Sequence, residues 1–552
     1  MVCQLRSGVA AAAARFARPG PRHAGFSDII AAGCAEDRLL STLFKSLSTV
    51  GAHTLVSRIL GFVRDLVYAH VFGADANTDA FFVAFKIPNF LRRLFAEGAF
   101  ATAFVPVLSE YKATRDYADL KAFVDHVAGV LGLVLLVVSL LGVVAAPLLV
   151  SVFAFGWVLD GEHAKLALAA EMLRLTFPYL LFISLTAFAG GILNAHQRFA
   201  VPAFTPVLLN LALIGCALWL APLLDTPITA LAWGVLIAGI TQFAFQLPFL
   251  HSLRLVPSFR PRLSDPGVRR VLLLMLPAVF AVSVTQINLL IDTVLASTLQ
   301  TGSISWLYYS DRLMEFPVGI LGVALGTVIL PQLSRHNAEA APGAFAHTLD
   351  WGLRTTMVFG VPAAVGLVLL AGPLIATLFL SEVFGPTDVA QARLSLMAYG
   401  SGMLAFILIK VLAPGYYARQ DTKTPVKIGV VAMLANIVLN LLLIGPLAHA
   451  GLALATSLAA YINAGLLFLG LRRAGVLRPE PAWRRLWLQI GAACVVMTAL
   501  LLWLAPPLPA WFEASRGTRV SWLLGSIAAA ALGYLLVLLA LGLRPRHLLG
   551  RA

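Results

Sequence analysis

Charge is scarce in this chain: Asp, Glu, Lys and Arg make up 12% of its 552 residues, about half the share of a soluble domain. Cysteine is nearly missing. Cys3, Cys34, Cys216 and Cys494 are scattered, with no CxxC spacing, which argues against a disulfide framework and a metal site. No Walker A loop, HExxH, GxSxG or glycine-rich dinucleotide loop occurs. The chain by itself is therefore no ATP-driven pump. Long polar stretches are missing too, so the catalytic machinery of a soluble enzyme has nowhere to fold.

Apolar sequence fills the chain instead, at 60% of residues. Runs of membrane-spanning length recur with short polar joints, and lipid tolerates only backbone that satisfies its own hydrogen bonds. The fold class is an all-α polytopic membrane protein of about fourteen transmembrane helices. The formal net charge of +14 does not point to nucleic acid, because the basic excess sits in joints beside apolar runs. Arg254, Arg260, Arg262, Arg269 and Arg270 crowd one joint, and Arg472, Arg473, Arg478, Arg484 and Arg485 another. Both follow even-numbered helices, which puts both termini in the cytoplasm by the positive-inside rule. Arg516 and Arg519, after helix 13, are the main exception. Residues 1–42 are rich in Ala, Arg and Gly without a proper apolar signal core. They read as a disordered extension or a wrongly assigned start, with a superficial likeness to a transit peptide.

Two internal echoes suggest a duplication. AFATAFVPVLS (Ala99 to Ser109) matches ALGTVILPQLS (Ala324 to Ser334), and LNLALIG (Leu209 to Gly215) matches LNLLLIG (Leu439 to Gly445). Both pairs fall at equivalent helices of the same parity. They divide the chain into an N-lobe of six helices (43–252), a C-lobe of six (268–472) and two appended helices (485–543), a parallel-repeat transporter plan.

Against this apolar background the few charges stand out. SRILGFVRD carries Arg58, Arg64 and Asp65; FFVAFKIPNFLRRLFAEG carries Lys86, Arg92, Arg93 and Glu97; WLYYSDRLMEFP carries Asp311, Arg312 and Glu315. A basic residue in the membrane costs about 2.5–3.5 kcal/mol on insertion scales, so these helices must line a shared polar space. On a helical wheel Lys86, Arg93 and Glu97 form one stripe, and Pro88 is expected to kink or unwind the turn after it. Ser57 and Arg64 share a face of the first helix, Arg58 and Asp65 another. Arginine forks suit phosphate, and a mostly cationic cavity suggests a large anionic substrate. Internal salt bridges or snorkelling are the bland reading, but bases outnumber acids in the first two helices. Asn288 and Asp292 share a face of the seventh helix. Asp292 admits two readings, a carboxylate coupling transport to Na⁺ or H⁺ and a solvated group near a helix end. Lys410 is a lone intramembrane cation. Gly322 and Gly326, in GVALG, have the spacing of close helix packing.

With these residues in view a resemblance becomes specific. SRILGFVRD, TDAFFVAFKIPNFLRRLFAEGAF (Thr78 to Phe100), Val105-Pro106, YYSDRLMEFPVGILGVALGT (Tyr308 to Thr327) and DTKTPVK (Asp421 to Lys427) together resemble the MurJ/MviN family of lipid II flippases, from about residue 43 to the end. The resemblance implies two six-helix lobes around a central cavity, with the last two helices forming a lipid-facing groove. It implies translocation of undecaprenyl-pyrophosphoryl disaccharide-pentapeptide across the bacterial inner membrane. Its cavity arginines match Arg58, Arg64, Arg92 and Arg312, its acidic positions Asp79 and Glu97, and Ser57 joins the set as a headgroup neighbour. No metal or cofactor is expected beyond Na⁺ or H⁺ coupling or the membrane potential. The partners expected are lipid II, membrane lipids and cell-wall synthesis and division proteins, for a monomer. Other readings are an exporter of another polyprenyl-linked glycan or of drugs, a non-transporting scaffold, and a membrane enzyme on lipid-linked sugars. A scaffold does not need buried unpaired arginines, an exporter of cationic drugs would want an acidic cavity, and no clear set of catalytic carboxylates is present.

Overall fold

A computed structural model describes residues 50–93, 100–477 and 482–543, with backbone alone at 280–285, 323 and 482. No strand occurs among the described residues. Ten helices among them are long and apolar enough to cross a membrane, against the fourteen expected. The first helix, α1 (50–71), carries Arg58, Arg64 and Asp65. The second apolar run is described as α2 (Ala76–Arg92) and α3 (Ala101–Thr114), with 94–99 outside the described residues. The longest helix is continuous by hydrogen bonding but broken in direction.

The N-terminal half continues with α4 (Tyr117–Val144), α5 (His163–Thr176), α6 (Tyr179–Ala195), α7 (Ala200–Gly215) and α8 (Thr229–Ser252). The C-terminal half comprises α9 (Pro266–Ser297), α10 (Ser303–Ala338), α11 (Pro342–Leu369), α12 (Pro386–Tyr417) and α13 (Lys423–Arg473). Two further helices, α14 (Ala482–Leu504) and α15 (Arg516–Ala540), pack against each other, and α14 docks on α11. Aspartates begin several of these helices: Asp75, Asp116 and Asp265 each accept a backbone N–H of the first turn, satisfying donors that a helix start leaves open.

Pro88 does not unwind its own helix. Pro88 lies inside α2, yet the helix runs on to Arg92 and Arg93 still has helical backbone. The missing hydrogen bond at a proline is tolerated where neighbouring helices hold the segment. The break in α13 is sharper. Ala448 has φ 47° and ψ −130°, two residues after Pro446, and the chain doubles back there. Gly451 comes so close to the Leu443 carbonyl that a side chain would clash, so only glycine permits the reversal.

Packing groups α2 with α5, α6 with α8 and α7 with α8 on one side, and α10, α11 and α13 around α12 on the other. Helix α9 contacts both α3 and α13. The two groups leave a space between α1, α2, α9, α10, α12 and α13, where the charged residues gather.

Candidate functional site

The space is a cavity of about 760 Å³. Five basic side chains line it, Arg58, Arg64, Lys86, Arg312 and Lys410, and four acidic ones, Asp65, Asp292, Asp311 and Glu315. The cavity is thus a mixed-charge chamber rather than the mostly cationic one expected. The reason is tertiary: acids of α1, α9 and α10 and bases of α1, α2, α10 and α12 face one space.

Arg64 and Asp65 form the buried centre. Arg64 donates to Asp65 from Nε at 3.0 Å and from Nη2 at 2.7 Å, and from Nη1 to Asn210 Oδ1 at 3.2 Å. It also donates to the Tyr308 hydroxyl at 3.1 Å, while that hydroxyl donates to Asp65 at 2.9 Å. Tyr308 belongs to α10, so the network joins the halves. Phe82 stacks on its ring at 4.0 Å. Arg312 also lies over the Tyr308 ring, donates to Glu315 at 2.7 Å and stands 3.8 Å from Asp65. Arg64 and Arg312 therefore each keep a carboxylate within reach, the condition for burying a charge in apolar surroundings.

A second polar group is built around α9. Lys86 donates to Thr293 at 3.2 Å. Asn440 donates to Asp292 at 2.7 Å and to Asn436, which donates in turn to Thr456. Asp292 and Thr456 line the cavity. Asn288, on the same helix, has its amide oxygen buried without a partner among the described residues and is not on the lining.

One end of the cavity is closed by direct contacts between the halves. Asp79 accepts from the Gly302 N–H at 2.7 Å and from the N–H and hydroxyl of Ser305 at 2.9 and 2.6 Å. The Tyr309 hydroxyl donates to Gly73 O, and the Gly156 N–H to the Ser297 hydroxyl. Toward the other end Arg58 and Lys410 are exposed, as is most of the start of α1.

The sequence-derived set is thereby sorted. Arg58, Arg64, Arg312 and Asp292 come together on the lining. Asp79 does not line the cavity. It is 2% exposed and caps the start of α10 across the closed end, because an N-terminus with free N–H groups is the nearest partner for a buried carboxylate. Arg92 is not on the lining either, and its Nε donates to Asn89 at 2.8 Å. Ser57 contributes its carbonyl, which accepts from Asn210 at 3.0 Å. Glu97 lies outside the described residues. Asn210, Tyr308 and Asn440 were not singled out by sequence, although both asparagines lie in the repeated LNL segments. Gly322 receives the stem of Lys410 rather than a neighbouring backbone, and Gly326 approaches the Lys410 carbonyl. Asp350 binds Arg354 as an i,i+4 pair and also accepts from Trp483, which ties α14 to α11.

Comparison with known proteins gives a consistent result. The family model for "Lipid II flippase MurJ" matches residues 68–515. A probable lipid II flippase MurJ of Vibrio cholerae is 49% identical over 513 residues, which is 92% of this chain and 97% of the relative. The lipid II flippase MurJ of Burkholderia cenocepacia is 46% identical over 467 residues, 84% of this chain and 90% of the relative. A solved lipid II flippase MurJ in an inward-closed conformation superposes with TM-score 0.75 at 28% identity, over 88% of this chain and 97% of that one. An inward-facing multidrug transporter of the MATE family, in the MOP superfamily, shares the fold alone: TM-score 0.62 at 14% identity, over 76% of this chain and 95% of that one.

Proposed function

The chain belongs to the lipid II flippase MurJ family, and from that premise we propose that it carries lipid II across the bacterial inner membrane by alternating access. It is a multi-pass membrane transporter, not an enzyme. The observation that carries the mechanism is a charged cavity lined by helices of both halves and closed at one end by the Asp79 contacts. A diphosphate-sugar headgroup has no stable place in hydrocarbon. Inside the cavity it exchanges water for fixed charges and hydroxyls, while the polyprenyl tail remains in lipid beside α14 and α15.

The basic joints at 253–270 and 472–485 favour a cytoplasmic side for the termini and for the open end of the cavity. The headgroup then enters from the cytoplasmic leaflet. The halves, acting as lobes, rock about the cavity, the Asp79 contacts part, and the headgroup leaves on the periplasmic side. Arg58, Arg64 and Arg312 supply the cationic lining for the pyrophosphate. Asp292, held by Asn440 with Asn436 and Thr456 alongside, is the candidate for coupling to Na⁺ or H⁺. Cell-wall synthesis and division proteins are the natural acceptors of the product, and one chain encloses the whole cavity, so a monomer suffices.

The test is to deplete the protein in its host and add a lipid II-cleaving toxin from outside. Protection of lipid II with a rising total pool supports flipping, and unchanged cleavage refutes it. In the same assay Arg58→Ala and Arg312→Ala should abolish function at normal membrane levels. Full activity in both would remove the arginines from the mechanism.

A further inference from the structure

Of the five basic side chains in the cavity, three are already engaged. Arg64 is held by Asp65, Asn210 and Tyr308, Arg312 by Glu315, and Lys86 by Thr293. Arg58 and Lys410 are different. Both line the cavity, both are exposed, and neither has a side-chain hydrogen bond or ion pair among the described residues. They approach from opposite halves, α1 and α12, and converge on one helix. The Arg58 guanidinium lies directly on Gly319 of α10, and the aliphatic stem of Lys410 lies on Gly322. Positions three apart share a helix face, so the two cations rest side by side on a bare strip of α10. A side chain at Gly319 would meet the guanidinium, and a Cβ at Gly322 would stand 2.5 Å from Lys410 Cδ.

Resting on the flippase reading, we propose that Lys410 is a direct diphosphate contact, paired with Arg58 across the Gly319–Gly322 strip, and that this pair is the primary anion site of the cavity. Engaged arginines must first give up a carboxylate or an amide to bind an anion. Unpartnered cations need not, so incoming phosphate oxygens meet them at no such cost. The chemistry suits two linked phosphates. Arg58 offers a planar fork for one, and Lys410 a compact charge with three rotatable donors for the other. Because the two cations belong to different halves, a bound diphosphate bridges the halves at the open end. An empty cavity leaves two like charges facing each other there, so the diphosphate supplies the neutralisation that favours closing that end. Arg64 and Arg312 then act as the fixed frame of the cavity.

The test uses the full chain in lipid nanodiscs, with undecaprenyl diphosphate, undecaprenyl monophosphate and undecaprenol as probes and Lys410→Gln and Lys410→Arg as variants. Native lipid II, bound to wild type, checks the reading on which the proposal rests. Wild type should prefer the diphosphate over the monophosphate. Lys410→Gln should weaken diphosphate binding about tenfold, erase that preference and leave undecaprenol binding unchanged. Lys410→Arg should keep most of the preference. Undiminished diphosphate binding by Lys410→Gln overturns the proposal. So does an equal loss for all three probes, which marks a packing role. If wild type binds the diphosphate but not lipid II, the substrate assignment fails while the anion pair stands. If it binds neither, both fail.

Discussion

Asn210 and Asn440 do the same job in the two halves of the molecule. Asn210, on α7, accepts from Arg64 of α1 at 3.2 Å, and Asn440, in the first part of α13, donates to Asp292 of α9 at 2.7 Å. Each asparagine lies in one copy of the repeated LNL segment. Each fixes the charged residue that the first helix of its half presents to the cavity. One repeated amide thus orients a cation in one half and an anion in the other, because an amide offers both a donor and an acceptor.

The contacts at the closed end make Asp79 a latch. Asp79→Ala leaves the Gly302 and Ser305 donors without their acceptor, a loss of about 1–3 kcal/mol per buried group. The population should shift toward opening at that end. A cysteine placed at Met314, in the cavity, should then react faster with an impermeant thiol reagent added from the periplasm. An unchanged labelling rate would mean that Asp79 holds nothing shut.

Arg64 and Asp65 are 8% and 3% exposed, so breaking the pair strands a charge. Asp65→Ala should destabilise the protein by about 3–5 kcal/mol, seen as a lower denaturation midpoint in detergent. The double replacement Arg64→Leu, Asp65→Leu should restore most of that stability while abolishing transport. Equal stability of Asp65→Ala and wild type would show that the pair is not what holds α1 in place.

Gly319→Ala should displace the Arg58 guanidinium and reduce transport severalfold with little loss of expression. Gly429→Ala, where an added methyl group meets nothing within 4 Å, is the matched control and should transport normally. Equal activity of the two variants would separate Arg58 from the α10 strip.

The proposed ion coupling is tested at Asp292. In proteoliposomes with an imposed Na⁺ or pH gradient, Asp292→Asn should keep lipid II binding and lose the gradient dependence of flipping. A variant that still responds to the gradient places the coupling elsewhere.

Much of this protein was legible from its residues alone. The apolar runs dictated helices, because a backbone in lipid has no other way to satisfy its hydrogen bonds. The isolated charges marked the cavity, because arginines facing lipid are too costly to keep, and Arg58, Arg64, Arg312 and Asp292 do line it. What the linear order could not reveal is which charge meets which. Asp79 reads as one more cavity acid, yet its partners lie more than 220 residues further on, at the start of α10. Arg64 and Lys410 are equally cationic in the sequence, yet one is spoken for and the other open. Pairing depends on distances between helices that are remote in the chain, and a residue's pattern along its own helix carries no information about them. Sequence therefore determined where charge must be sheltered, and only the tertiary structure decided which of those charges are left for a ligand.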